Sequence, residues 1–289
     1  MNYKLEKKFW GFIFTIPWLI GFLLFFLKPF IESFYFSFHI VEPTKNGLEM
    51  TFVGLGRYIN ALTVHVDFLR VLLQSLLDIF INLWVILIFS LLMAVLLNTK
   101  FRGRTFARAV FFIPVIFNSA AIESALGGGE ALRTLMNESG LGIMSVFDLK
   151  AYLLEADMAP WLIGFLVSSI DRIYLIISYS GVQILIFLAG LQSIPIHLYE
   201  AAKIEGATQY EIFWKITLPM VSPLILTAAV YTIVNSFLRS PITEVMQSVY
   251  NDQQYGLYAA MSWMYFGVSA ILLTVVLFFL SKAVFYYDK

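Results

Sequence analysis

From Phe9 to Leu27 the chain carries no charged side chain, and five further stretches, about 71–97, 106–126, 173–191, 218–238 and 257–281, hold at most two each. Runs of this length match the roughly 20 apolar residues that a helix needs to cross the hydrocarbon layer of a bilayer. Inside that layer the backbone finds no water, so a spanning segment must close its own hydrogen bonds, as a helix does. An all-α integral membrane fold with six transmembrane helices is the expectation. Composition agrees: 60% of residues are hydrophobic and 13% are charged, roughly half the charged share of a soluble domain.

The first run meets Lys28-Pro29 and continues to about Phe38. It exceeds a perpendicular crossing, so a tilt or kink is expected to absorb the excess. Lys4, Lys7 and Lys8 ahead of it imitate a secretory signal, but the run is too long and no small-residue cleavage site follows. Residues 1–8 therefore read as a cytoplasmic N-terminus, 9–38 as a retained first helix, and 71–285 as the membrane core. The same lysines, with Lys100, Arg102, Arg104 and Arg108 between the second and third runs, place those segments in the cytoplasm. Six crossings return the C-terminus to that side and leave 39–70, 127–160 and 239–256 outside. Trp161–Ile170 is apolar but only half a span long, and Asp171-Arg172 closes it. It reads as an interfacial or re-entrant segment, or else as an extension of the fourth span.

Several functions are disfavoured by what is absent. Net charge is zero without a long basic run, so nucleic acid is not an expected partner. There is no cysteine, and His39, His65 and His197 are far apart, so no metal site is expected. The chain lacks a GxxxxGK phosphate loop, which leaves it nothing to cradle ATP. Intramembrane Asp78 and Glu123 come without a nucleophile–base pair, so the chain is not read as an enzyme. A secondary transporter would show inverted repeats with paired broken helices, and none is evident. The 17% of aromatic residues read as lipid-facing bulk and interfacial anchors.

One cytoplasmic connection is too long and too helical for a turn. Residues 193–217 read SIPIHLYEAAKIEGATQYEIFWKIT. Pro195 stops the preceding span, helix formers follow, Gly206 permits a turn that a side chain would resist, and a second helical run leads to Pro219. A small helical hairpin is predicted. Glu200-Ala201-Ala202, then Gly206, then Ile216-x-Leu218-Pro219 after nine residues resembles the EAA loop of ABC importer permeases. Leu188-Ala189-Gly190-Leu191-Gln192-Ser193-Ile194-Pro195 ahead of it is similar to the carbohydrate branch of that family. Pro29 with Ser33-Phe34-Tyr35, Phe52-Val53-Gly54-Leu55 with Tyr58, and Phe111-Phe112-Ile113-Pro114 extend the likeness to the maltose-type first permease. Two places depart from the family pattern: Gly127-Gly128-Gly129 after the third span and Arg239-Ser240-Pro241 after the fifth.

The resemblance implies a type I ABC importer permease fold and a subunit of a sugar or oligosaccharide importer in the plasma membrane of a prokaryote. It implies as partners a second permease subunit, two ATPase subunits carrying ATP and Mg, and an extracytoplasmic sugar-binding protein. This chain itself would hold no cofactor. The EAA loop would dock on the ATPase, with Glu200 anchoring it, Ala201 and Ala202 packing closely, Gly206 turning, and Ile216, Leu218 and Pro219 closing the motif. The family's sugar contacts lie chiefly on the helices flanking this loop, which selects Tyr179, Thr232, Asn235, Ser236 and Arg239. Polar residues also recur at Gln74, Asp78 and Asn82, at Asn118, Ser119 and Glu123, and at Tyr174, Ser178 and Gln183. Packing against a second subunit is the rival reading for all such stripes, and for Gln74–Asp78–Asn82 the preferred one. A non-sugar solute such as glycerol phosphate is the alternative cargo, with Arg239 in the path.

Overall fold

The computed structural model describes residues 3–44, 47–99, 101–117 and 160–284. Helix α1 (Tyr3–Gly21) passes through a π-helical turn, Phe22–Leu27, into α2 (Lys28–Phe36). A hairpin of β1 (His39–Thr44) and β2 (Gly47–Phe52) follows, then α3 (Gly56–Thr63), the long α4 (Val66–Asn98) and α5 (Arg104–Phe117). After the undescribed stretch come α6 (Pro160–Ser193), α7 (Ile196–Ile204) and α8 (Gln209–Ile212). A second π turn, Phe213–Thr217, leads into α9 (Leu218–Leu238), then α10 (Ile242–Asn251) and α11 (Tyr255–Ala283).

Among the described residues five helical stretches are long and apolar enough to cross a membrane: Phe9–Phe36, Asp67–Asn98, Leu175–Ser193, Gln209–Asn251 and Tyr255–Lys282. The predicted third span is described only as far as Phe117. Its remainder, with Asn118, Ser119 and Glu123, and the outer segment that follows, with Gly127-Gly128-Gly129, lie outside the described residues. Trp161–Ile170 corrects the interfacial expectation: α6 runs unbroken for 34 residues, about 51 Å at 1.5 Å per residue. That length outruns a ~30 Å hydrocarbon layer, so Asp171-Arg172 can lie at its edge without ending the helix.

Both π turns have one sequence cause. Lys28 N–H reaches back to Leu23 O and Leu218 N–H to Phe213 O, five residues in each case. The next residue is Pro29 or Pro219. A proline ring has no N–H and crowds the carbonyl four residues back, and widening the turn ahead of it relieves that clash.

The described chain divides into two compact units. One is Met1–Asp78 with Phe237–Thr274. Its core gathers Ala61, Phe68 and Leu72, then Ile242, Met246 and Val249 from one face of α10, then Leu257, Met261 and Tyr265. Tyr265 stacks on Phe237 at 4.3 Å and donates its hydroxyl proton to the Phe237 carbonyl at 3.0 Å. The hairpin pairs His39 with Phe52 through Thr44 with Gly47, which sets Glu42 opposite Glu49. Like charges so placed repel. Arg57 of α3 offsets the Glu42 charge: partial burial pulls its guanidinium pKa down, and Glu42 pulls it back up. Tyr58 donates to Ser37 Oγ at 2.8 Å, and the His39 ring N–H at Nδ1 bonds the Tyr35 carbonyl at 2.7 Å. Along the first span Trp18, Phe22, Phe26 and Phe30 stack in sequence with centroids 5.5, 5.2 and 5.8 Å apart. All four are exposed or half-buried, as suits bulk presented to lipid.

The other unit is Ile79–Ser236 with Val275–Lys289. Leu83, Ile86 and Ala94 of α4, Ile184, Phe187 and Leu191 of α6, and Ala228, Ala229 and Ile233 of α9 are buried in it. Ser90 Oγ donates to the Ser180 carbonyl at 3.4 Å, linking α4 to α6. Arg108 Nη2 donates to the Leu97 carbonyl at 3.1 Å and so closes the C-terminal end of α4, where a cation also meets the helix dipole.

Candidate functional site

The predicted hairpin between the spans forms, and its turns follow from the residues singled out in the sequence. Pro195 takes an extended ψ of 130° and caps α7. At the other end Glu205 caps the helix and Gly206 turns with φ +80°. Gly206 N–H bonds the Lys203 carbonyl at 3.1 Å and Ala207 N–H bonds the Ala202 carbonyl at 2.9 Å. This pair of bonds is the Schellman closure of a helix, and it satisfies carbonyls that would otherwise be orphaned. Most L residues are costly at that φ, so conformation favours glycine there.

Thr208 then opens α8 with a capping box. Its backbone N–H and its hydroxyl each donate to Glu211 Oε2 at 3.0 Å, and its Oγ1 accepts from Glu211 N–H at 3.3 Å. The backbone bond, the hydroxyl bond and Lys215 Nζ at 3.4 Å from Oε1 hold the Glu211 carboxyl below its usual range. The sign follows. A depressed carboxyl stabilises the box fully above the unfolded carboxylate pKa and loses that contribution as pH falls through the folded value. Thr208→Ala is expected to speed hydrogen exchange at the Glu211 amide about fivefold at neutral pH. Acidification should bring the wild-type rate toward that of the variant, as read by exchange mass spectrometry.

The loop is fastened at its base and projects at its tip. Tyr199 OH and Thr217 Oγ1 share a hydrogen bond of 3.2 Å, and Ile212 and Thr217 are buried. No residue of α7 is buried. Glu200 and Ala201 are exposed and Ala202 is half-buried. Ile216, Leu218 and Pro219 are half-buried, so they sit in the base. The tip also presents Ile204 at 88% exposure, with Tyr210 and Trp214 exposed beside the turn. None of these three belongs to the motif positions named above. Their signal was an apolar residue next to Gly206 and two aromatics at i, i+4, which is the spacing of one helix face.

The residues selected for a substrate path separate by environment. Tyr179, Asn235 and Ser236 are half-buried and Arg239 is exposed. Thr232 is 1% exposed. Its hydroxyl donates to the Ala228 carbonyl at 2.7 Å and accepts from Gln183 Nε2 at 2.9 Å. Gln183, one of the polar residues of the fourth span outside the five expected along the path, is thus its direct partner across α6 and α9. On α4, Gln74 is exposed, while Asp78 and Asn82 are half-buried.

Comparison with known proteins gives the architecture a family. Binding-protein-dependent transport system inner membrane components match residues 52–287. The arabinooligosaccharides transport system permease protein AraP of Bacillus subtilis is 32% identical over 238 residues, 80% of this chain and 70% of AraP. The trehalose/maltose transport system permease protein MalF of Thermococcus litoralis is 30% identical over 224 residues, 76% of this chain and 70% of MalF. A chain of a bacterial alginate ABC transporter, solved in complex with an alginate pentasaccharide-bound periplasmic protein, has the same fold, with a TM-score of 0.57 over 94% of each chain at 18% identity. With a helical hairpin built between two apolar helices and the family matched over most of its length, the chain belongs to the binding-protein-dependent transport system inner membrane components, as a multi-pass permease subunit of the carbohydrate ABC importer type.

Proposed function

We propose that this chain is one of two membrane-spanning subunits of an importer that takes a sugar or oligosaccharide from an extracytoplasmic binding protein. ATP, with Mg, is hydrolysed on two separate ATPase subunits, and the second permease is a related chain. Both termini lie in the cytoplasm of a prokaryotic cell, below its plasma membrane. The observation that carries this reading is the 193–217 hairpin: fastened at Thr217, closed at Gly206, and offering Glu200, Ala201 and Ile204 outward. Such a projecting apolar and acidic tip fits a groove on another protein far better than it fits water or lipid. Relatives named for arabinooligosaccharides and for trehalose and maltose support an oligosaccharide as cargo.

Tyr179, Asn235 and Ser236 supply the aromatic face and hydrogen-bonding groups that sugars need along the path, with Thr232 alongside and Arg239 at the C-terminal end of α9. Arg239 supports a second reading, in which the cargo carries negative charge, as a sugar acid or a glycerol phosphate does.

The test is affinity purification of the tagged chain from its native membrane, with ATPase assays over a panel of neutral and acidic sugars. An ATPase and a second permease should come with it in stoichiometric amounts, and hydrolysis should rise only with one sugar and its binding protein. A chain that purifies alone and moves solute down an ion gradient would refute the reading.

A further inference from the structure

Helices α6 and α9 flank the loop; one contact fastens the loop at its foot, and two more cross the seam between the helices. At the base Tyr199 OH meets Thr217 Oγ1 at 3.2 Å. Higher up, Gly190 lies so close to α9 that a Cβ there would run into the Leu224 side chain, with Val221 Cγ1 only 3.6 Å away. Higher still Gln183 Nε2 donates to Thr232 Oγ1 at 2.9 Å, both side chains essentially without solvent exposure. Gln183 lies ten residues before the end of α6 and Thr232 fourteen residues after the start of α9. At 1.5 Å per residue that is roughly 15–20 Å from the loop, within the apolar layer. Neither water nor lipid competes for a hydrogen bond at such a place.

We propose that Gln183 is a positioning residue for transport: with Thr232 it forms a clasp that makes α6, the loop and α9 move as one body. The proposal rests on the ATP-coupled import reading above. Two helices joined only at a loop would splay when a partner displaces that loop, and the displacement would be lost in the first turns. A second fixed point high on the seam carries it upward instead, to Tyr179 one turn from Gln183 and to Asn235 and Ser236 one turn from Thr232. Thr232 serves here through its hydroxyl as an acceptor between helices. Between the loop and the clasp the helices approach closely at Gly190, where no side chain stands between them.

The chain has no cysteine, so paired spin labels at Leu185 and Val234, exposed positions on α6 and α9, report the seam directly. Gln183→Leu and Thr232→Val should broaden the distance distribution between the labels, while Thr232→Ser, which keeps the hydroxyl, should leave it narrow. In the assembled transporter, reconstituted with its ATPase and binding protein, Gln183→Leu should keep basal ATP hydrolysis while solute moved per ATP falls about tenfold, the scale of one lost intramembrane hydrogen bond. Thr232→Val should lower the same ratio, and the double variant should be no worse than either single one. An unchanged label distribution overturns the clasp, and so does a parallel fall of uptake and hydrolysis at constant ratio. If the unaltered complex shows no ATP-linked uptake, it is the import reading that fails, and the label distributions alone decide the clasp.

Discussion

Gly206→Val is expected to lower ATP-driven uptake at least about tenfold while the chain still inserts and accumulates in the membrane. The reason is conformational. Gly206 sits at φ +80°, and a Cβ placed on it would touch nothing within 4 Å, so the added carbon meets no neighbour. What it meets is its own backbone: an L residue in the left-handed region costs about 1–2 kcal/mol, and a β-branched one more. Relief requires giving up the two closing bonds to Lys203 and Ala202, which re-aims α8 relative to α7 and so reshapes the projecting tip. A loss of ~1.4 kcal/mol in docking is already a factor of ten. Gly206→Asn separates this cause from bulk, because asparagine tolerates positive φ. It should retain most uptake, with Gly206→Ala between the two. Measured in membrane vesicles at equal expression, equal losses for Asn and Val would show that the turn is not what matters.

The same glycine shows what was legible in the sequence and why. Its spacing from Glu200 and Pro219 is a local pattern, and local patterns survive folding: α9 spans Leu218–Leu238 as expected, and Pro195 and Gly206 bound α7 as their backbone preferences require. Of the two readings of Trp161–Ile170 the extension of the fourth span holds and the interfacial one does not, because a 34-residue helix is long enough to hold Asp171-Arg172 at the bilayer edge. For 39–52 the charge pattern gives only an outer segment, not the hairpin. Its signals were Asn46-Gly47 between two short runs, and β-branched residues at Ile40, Val41 and Thr51. Helix α10 was missed for a similar reason, although Ile242, Met246 and Val249 at i, i+4 and i+7 mark one buried face. The Gln183–Thr232 bond was beyond reach of any such reading. It joins residues 49 apart in the chain, and a polar stripe on each helix does not say whether the two stripes meet each other, a sugar or another subunit.

Gly256→Ala is expected to be the most destabilising methyl addition of the three helical glycines Gly190, Gly256 and Gly267, by about 3 kcal/mol. Gly256 is the second residue of α11, and the Cβ built on it would collide with the carbonyl oxygen of His39, with His39 C and Phe36 O both 3.2 Å away. All three are backbone atoms. They are held in turn by the entry to the hairpin, where Val53 N–H bonds Phe38 O at 3.0 Å and His39 pairs with Phe52. No rotamer change can make room, so α11 would have to withdraw from the hairpin and draw Leu257 and Met261 out of their core. Gly190→Ala offers the contrast. Its Cβ would strike the far end of the Leu224 side chain, which can turn aside, and a cost of about 1 kcal/mol is expected. Gly267→Ala is the third member of the series: nothing lies within 4 Å of its Cβ, and alanine favours a helix over glycine by up to about 1 kcal/mol. Thermal unfolding of the purified variants in one detergent should therefore rank Gly267→Ala at or above the unaltered chain, Gly190→Ala below it and Gly256→Ala far lower. If Gly256→Ala unfolds with Gly267→Ala, the close approach of α11 to His39 is not what fixes the hairpin in place.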